Sequence, residues 1–243
     1  MEIFDDLVAE QDRLEAILAG LSDDAWLMPS DADGWTIADV VLHLAQTEEA
    51  VAASAAAGAP DVEWSADPRS IDDVMDELVR AERTASAAVF ERWRSARRAA
   101  ITALRTADPQ QPLAWAAASL KPRTLATTRL AEHWAHGLDI TIPLKIDFPD
   151  TDRLRHVAWL GYSTLPYAFF VEDQESRDVF CELTGPDGTV WSFGPPTADS
   201  TISGSAGAFC RVGAKRLAPE ESGLRTTGPY GDTALRLLRN YAA

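Results

Sequence analysis

Cysteine, histidine, positive charge and long apolar runs are all scarce in this chain, and each scarcity removes a class of protein. Two cysteines in 243 residues, Cys181 and Cys210, cannot build a disulfide framework or an all-cysteine zinc site. They read as reduced, buried thiols, as expected of a cytoplasmic protein. No stretch reaches the roughly 18 consecutive apolar residues that a membrane-spanning helix needs. The N-terminus, MEIFDDLVAEQDRL, is acidic and amphipathic, which is not the pattern of a signal peptide. Against 38 Asp and Glu there are only 22 Lys and Arg, a net charge of −16. That balance argues against non-specific binding to nucleic acid or anionic membranes and suggests a small or neutral partner. A small-molecule substrate and a monomer or homodimer are the expectation. Walker A, dinucleotide-glycine and Gly-x-Ser-x-Gly motifs are also missing.

What remains is ample material for a core: 46% of the residues are hydrophobic and 25% charged. Ile3, Phe4, Leu7, Val8, Leu14, Ile17, Leu18 and Leu21 follow helical spacing, with Gly20 at the stop. A second helix starts at Thr36, an N-cap with Asp39 three residues on, and fades before Gly58-Ala59-Pro60. Ser70 and Asp73 open a long third helix that runs to Asp108-Pro109, and a fourth runs from near Thr124 to Ile140, where Pro143 stops it. Four such helices point to a bundle. Beyond residue 150 the texture changes. A helix from Leu154 to Tyr167, interrupted at Pro166, leads to a hairpin of 179–184 and 189–193 around Gly185-Pro186-Asp187-Gly188. A strand at 201–203 and helices across 206–217 and 232–241 follow. The expectation is an α+β protein: a helical bundle over residues 1–150 and a small α/β domain over 151–243.

Histidine is the informative scarcity. Of four in the chain, two fall within one turn of the fourth helix. Glu132 and His136 are four residues apart and share a helix face with Arg129 and Asp139. His43 lies beside the apolar stripe of the second helix, four residues after Asp39, which is placed to orient its ring. Two neutral imidazoles and a carboxylate form a three-ligand set for a catalytic divalent metal, with zinc the natural choice. The pair His133/His136 is an equally available ligand choice at this level, and a solvent face or satisfied core histidines would give the same pattern. His156 reads as structural or surface. Gly204-Ser205-Ala206-Gly207 reads as a small-residue helix cap, and Arg211 and Arg216 could each fork onto a substrate carboxylate.

The string Gly34-Trp35-Thr36-Ile37-Ala38-Asp39-Val40-Val41-Leu42-His43-Leu44 resembles the second-helix signature of the mycothiol-dependent maleylpyruvate isomerase group, part of the DinB-like metalloprotein superfamily. Arg129-x-x-Glu132-x-x-x-His136-Gly137-x-Asp139 resembles its fourth-helix signature, and Gly204-Ser205-Ala206-x-x-Phe209-Cys210 is similar to its second domain. The resemblance implies a DinB-like four-helix bundle whose metal is held by His43, Glu132 and His136, choosing Glu132 over His133. It implies mycothiol as a thiol cosubstrate and an isomerase or S-transferase activity on a small electrophile. A non-catalytic metal or small-ligand binder and a metal-dependent hydrolase are the alternatives. Arg216 is the nearest positional match to the group's substrate-binding arginine, in Gly213-Ala214-Lys215-Arg216 where the group carries a Gly-Arg pair.

Overall fold

The computed structural model describes residues 2–57, 71–115 and 118–240, without the side chains of residues 71 and 72. The chain divides into two compact units, Met1–Phe148 and Pro149–Ala242.

The first unit is helical. Its long helices are α1 (Ile3–Leu18), α3 (Ile37–Ala57), α5 (Ser86–Thr106) and α6 (Pro122–Leu144). Between them lie a one-turn helix α2 (Asp23–Trp26), capped by Ser22, and α4 (Ile71–Ala81). The long helices pack as a bundle, α3 on α5 and α1 on α6, with α6 also against α3 and α5. The stripe Ile37, Val40, Val41, Leu44 and Ala45 of α3 is sealed from solvent and meets Val89 and Trp93 of α5 in one apolar cluster. α3 begins as its sequence requires. Thr36 Oγ1 accepts the Asp39 N–H at 3.2 Å while Asp39 Oδ2 accepts the Thr36 N–H at 2.9 Å, a reciprocal cap.

Two helix expectations need correction here. The single helix expected from Ser70 to Asp108 is broken, because residues 83–85 leave the helix and α5 restarts after Ala85 in an extended conformation. Apolar spacing survives so short a break, and the break frees Arg83 to fork onto Asp39 (2.8 Å twice). Ser70 itself, like Gly58-Ala59-Pro60, lies outside the described residues. Nor does Pro143 stop α6, which continues to Leu144. A proline in the last turn removes only its own donor, and the Asp139 carbonyl that would have taken it accepts the Asp31 N–H instead, at 2.8 Å. Lys145 then closes the helix in the left-handed conformation, φ 55°.

The second unit carries α7 (Leu154–Ser163) and α8 (Leu165–Val171), parted at Thr164, with Pro166 in the first turn of α8 where its missing N–H is harmless. The hairpin β1 (Val179–Thr184) and β2 (Val190–Phe193) forms as expected, with Gly188 at φ 85° in its turn. β3 (Ser200–Ser205) pairs parallel to β1, and β4 (Arg225–Thr227), which the sequence pattern does not announce, pairs antiparallel to β3. The sheet order is β2-β1-β3-β4. In β1, Val179, Cys181 and Leu183 are buried and Glu182 and Thr184 exposed, the alternation of a sheet covered on one face. Helices α9 (Ala206–Gly213) and α10 (Gly231–Leu237) are shorter than their apolar spacing predicts, and Tyr241 is outside the described residues. Both cysteines are free and buried. The architecture is α+β, a helical unit followed by a small four-stranded one.

Candidate metal centre

α3 and α6 cross with His43 on one and Glu132 and His136 on the other, and the three side chains converge. One ligand atom from each lies within 4.8 Å of the others. Nε2 of His43 and Nε2 of His136 both face Oε2 of Glu132, at 3.6 and 3.4 Å. Among the described residues no other group of three His, Cys, Asp or Glu side chains comes together in this way. The face is not the solvent face of an amphipathic helix: both imidazoles are nearly buried and Glu132 is about two-thirds covered, with a side-chain exposure of 31%.

The three groups shape one another's charge. Burial works against the Glu132 carboxylate, but the bonds from His136 and His43 and the charge of Arg129 hold it well below the usual range. Burial also opposes charge on His136, yet its bond to Asp139 and its closeness to Glu132 hold it up to about 9. Burial pushes His43 down, only partly offset by Glu132. The site therefore presents an ionised carboxylate flanked by a neutral imidazole and one that binds a proton avidly. A divalent cation can replace that proton at the same atoms.

Each histidine is held differently. Nδ1 of His136 donates to Oδ2 of the fully buried Asp139 at 2.9 Å, the carboxylate–imidazole arrangement that fixes a ligand's tautomer and orientation. Asp39 does not do this for His43. It is committed to Thr36 and to Arg83, and Nδ1 of His43 has no hydrogen-bond partner among the described residues. Four-residue spacing brought the two side chains to neighbouring turns, but the fork of Arg83 claims the carboxylate first.

Trp35, which the sequence marks only as a member of a signature string, packs on both imidazoles. Its ring centroid is 5.2 Å from that of His43 and 6.4 Å from that of His136, nearly parallel to the latter at 24°. The indole N–H donates to Asp76 Oδ1 at 2.9 Å. The loop before α3 is pinned by Ser30, whose N–H and hydroxyl both donate to the Trp35 carbonyl at 2.9 Å, and by a bridge between Pro29 and Thr36.

His133 points elsewhere. It is fully buried, its Nδ1–H donates to the Arg129 carbonyl at 2.8 Å, and its Nε2 accepts from the Trp93 indole at 3.2 Å. Both nitrogens of His133 are thus bonded away from His136, and it does not join the group formed by His43, Glu132 and His136. Beside it lies a sealed ion pair that sequence reasoning missed: Arg129 Nε donates to Glu48 at 2.9 Å and Nη2 to Thr47 at 2.6 Å. No local pattern joins residues 81 positions apart.

The remaining candidates belong to the second unit. Arg211 is engaged by Asp150 in a two-pronged ion pair, 2.8 Å on each prong, so its fork is spent within the unit. Gly207 allows that pair, since a Cβ there would fall 2.1 Å from Asp150 Oδ2. Arg216 follows α9, half-buried, with Nη1 donating to the Ala214 carbonyl at 2.8 Å. Ser205 caps α9 through the Ala208 N–H, which bears out the helix-cap reading of Gly204-Ser205-Ala206-Gly207.

Two imidazoles and a carboxylate drawn together from two bundle helices make a group that could hold a metal ion, and comparison with known proteins places the chain more closely. Residues 7–141 match the family model for the mycothiol maleylpyruvate isomerase N-terminal domain, and the chain belongs to that family. Two uncharacterized proteins of Mycobacterium tuberculosis, from strains CDC 1551 / Oshkosh and ATCC 25618 / H37Rv, are each 33% identical over 241 residues, 98% of this chain and 94% of theirs. The fold is also that of crystal structures of a mycothiol-dependent maleylpyruvate isomerase and of its histidine-to-alanine mutant. These align over 93% of this chain and 92% of theirs, with TM-scores of 0.63 and 0.64 at 15% and 14% identity. No helix among the described residues is long and apolar enough to cross a membrane.

Proposed function

We propose that the protein is a cytoplasmic, metal-dependent enzyme that uses mycothiol to isomerise a small conjugated carbonyl compound, or to transfer the thiol onto one. The convergence of His43, Glu132 and His136 is the observation that carries this reading, and membership of the isomerase family supplies the thiol. The donor set fits a metal: two imidazole nitrogens and an ionised carboxylate sit close together, and His136 is braced from behind by Asp139. Zinc is the cation this mixed set suits best. When bound, such a cation stabilises a coordinated thiol as its thiolate.

The chain's own residues do the rest. Glu132 and the two imidazoles hold the centre, Asp139 fixes the His136 ring, and Trp35 walls the two rings. Arg216 is proposed to bind a carboxylate of the substrate, on the strength of the family resemblance. The thiolate forms a C–S bond to the conjugated alkene, whose π electrons move onto the carbonyl oxygen. The former double bond can then rotate. When the electrons return, the C–S bond breaks and the double bond re-forms in the other geometry with the thiol regenerated. Keeping the C–S bond and adding a proton instead gives the S-transferase outcome. We further propose that the boundary between the two units separates a metal-binding domain from a second functional domain.

The test is metal content by plasma mass spectrometry on wild type, His43→Ala and His136→Ala, followed by turnover of maleylpyruvate with and without mycothiol. About one equivalent in wild type, lost in both variants, with thiol-dependent turnover, is the expected result. A folded wild type that takes up no zinc overturns the metal reading. Full metal with no thiol-dependent turnover overturns the isomerase and leaves a binder or a hydrolase.

A further inference from the structure

A ligand histidine needs something to hold its ring. Its free nitrogen normally donates to a carboxylate, a carbonyl or water, and that bond sets both the tautomer and the ring angle. His136 has such a bond, to Asp139 at 2.9 Å. His43 does not: its Nε2 faces Glu132, and its buried Nδ1 meets no polar partner among the described residues. What its ring does meet is aromatic, with its centroid 5.2 Å from that of Trp35 and 4.9 Å from that of His136, the two imidazole planes at 69°.

We infer that Trp35 is the positioning residue for His43, fixing by ring contact the orientation that a hydrogen bond fixes for His136. The inference rests on the metal reading of the site and goes beyond it. Three features make the indole a fixed surface. Its N–H is tied to Asp76, and Asp76 is itself held by Arg80 at 2.7 Å. Its backbone carbonyl takes two bonds from Ser30, and its backbone N–H donates to the Ala32 carbonyl at 3.1 Å. The loop that carries it is anchored to the far ligand helix by the Asp31 N–H on the Asp139 carbonyl. The acceptor that Pro143 leaves unused in α6 thus holds the loop that holds His43. The same residue, Asp139, braces His136 through its side chain and Trp35 through its backbone.

Cobalt(II) titration of the metal-free protein, read by visible absorption and by affinity, tests this on wild type, Trp35→Ala, Trp35→Phe, Asp76→Ala and Asp139→Ala. Loss of a ligand's outer partner costs about ten- to a hundredfold in metal affinity. Trp35→Ala is expected to fall in that range, alongside Asp139→Ala, with an altered cobalt band. Trp35→Phe, which keeps a ring but no N–H, should recover most of the affinity. Asp76→Ala removes only a half-exposed anchor, so it should fold normally and still weaken binding, by less than Trp35→Ala. Wild-type affinity and band shape in both Trp35→Ala and Asp76→Ala would overturn the inference while leaving the metal reading intact. If Trp35→Ala does not fold, Asp76→Ala and Trp35→Phe decide it by the same readout. A wild type that binds neither cobalt nor zinc removes the metal reading, and this inference with it.

Discussion

The indole N–H of Trp93 donates to Nε2 of His133 across the bundle interior, and this bond settles the chemistry of that histidine. An indole can only donate and a backbone carbonyl can only accept, so Nε2 must be bare and Nδ1 must carry the hydrogen. Burial and the nearby Arg129 charge push the His133 pKa down to about 3, which keeps the ring neutral. His133→Leu should therefore leave metal content unchanged while stranding the Trp93 donor, at about 1–3 kcal/mol of stability. Urea denaturation and metal analysis on one preparation check both halves. Loss of metal from a folded His133→Leu would return His133 to the ligand set.

Arg129 and Glu48 are sealed together, with side-chain exposures of 1% and 0%. Burial pushes the Glu48 carboxyl up and the Arg129 charge opposes that push. Removing one partner leaves a buried charge alone, so Arg129→Met should cost about 3–5 kcal/mol. The double variant Arg129→Met with Glu48→Leu should regain much of that loss, as apolar replacements of buried pairs commonly do. Additive losses in the denaturation midpoints would show that the two residues are not coupled.

Gly137, in the middle of the α6 signature, is explained by Phe148. A Cβ at residue 137 would sit 2.6 Å from the Phe148 ring, and the Arg13 guanidinium lies 3.6 Å from that ring's centroid. Gly137→Ala improves helix propensity by about 1 kcal/mol but overpacks this contact, so a net loss of about 1–2 kcal/mol is expected. Phe148→Leu in the same chain should relieve it. A more stable Gly137→Ala would show that the ring yields freely.

Burial pushes the Cys181 thiol up to about 12, and burial with the nearby Asp150 charge raises Cys210 as well. At pH 8 neither should react with a thiol reagent in the folded protein, and both should react in urea. A thiol whose folded pKa is raised contributes stability that is whole below its unfolded value near 9. That contribution drains away as the pH climbs toward 12. Denaturation midpoints from pH 8 to 11 should fall, and fall less in Cys181→Ala. Stoichiometric labelling of native protein would contradict the burial.

Much of the frame was legible before the structure: the Thr36–Asp39 cap, the first, second and fourth of the expected long helices and the hairpin at Gly185–Gly188 all follow from local chemistry. His43, Glu132 and His136 stood out as scarce residue types at helical spacing, but spacing left His133 as an equal choice, and only the family resemblance preferred Glu132. What escaped depends on partners distant in sequence. Asp39 was assigned to His43 by spacing, but Arg83, released by a break that periodicity cannot register, reaches it from 44 residues away. Pro143 looked like a stop because the alternative donor for the Asp139 carbonyl sits in another segment. The sealed Arg129–Glu48 pair was invisible for the same reason.

Polar contacts tie helix α4 and the residues just after it to their neighbours. Trp35 bonds to Asp76, Gln46 to the Leu78 carbonyl, and Arg83, just beyond the helix, to Asp39. Val79 is its only side chain among residues 73–81 sealed in the core. A segment fastened in this way opens with little apolar surface to lose, so its backbone amides should trade hydrogen for deuterium well before those of α3 and α6. Each such opening also releases the Asp76 anchor of Trp35. The exchange rate of α4 is thereby a clock for how often the wall beside His43 comes loose.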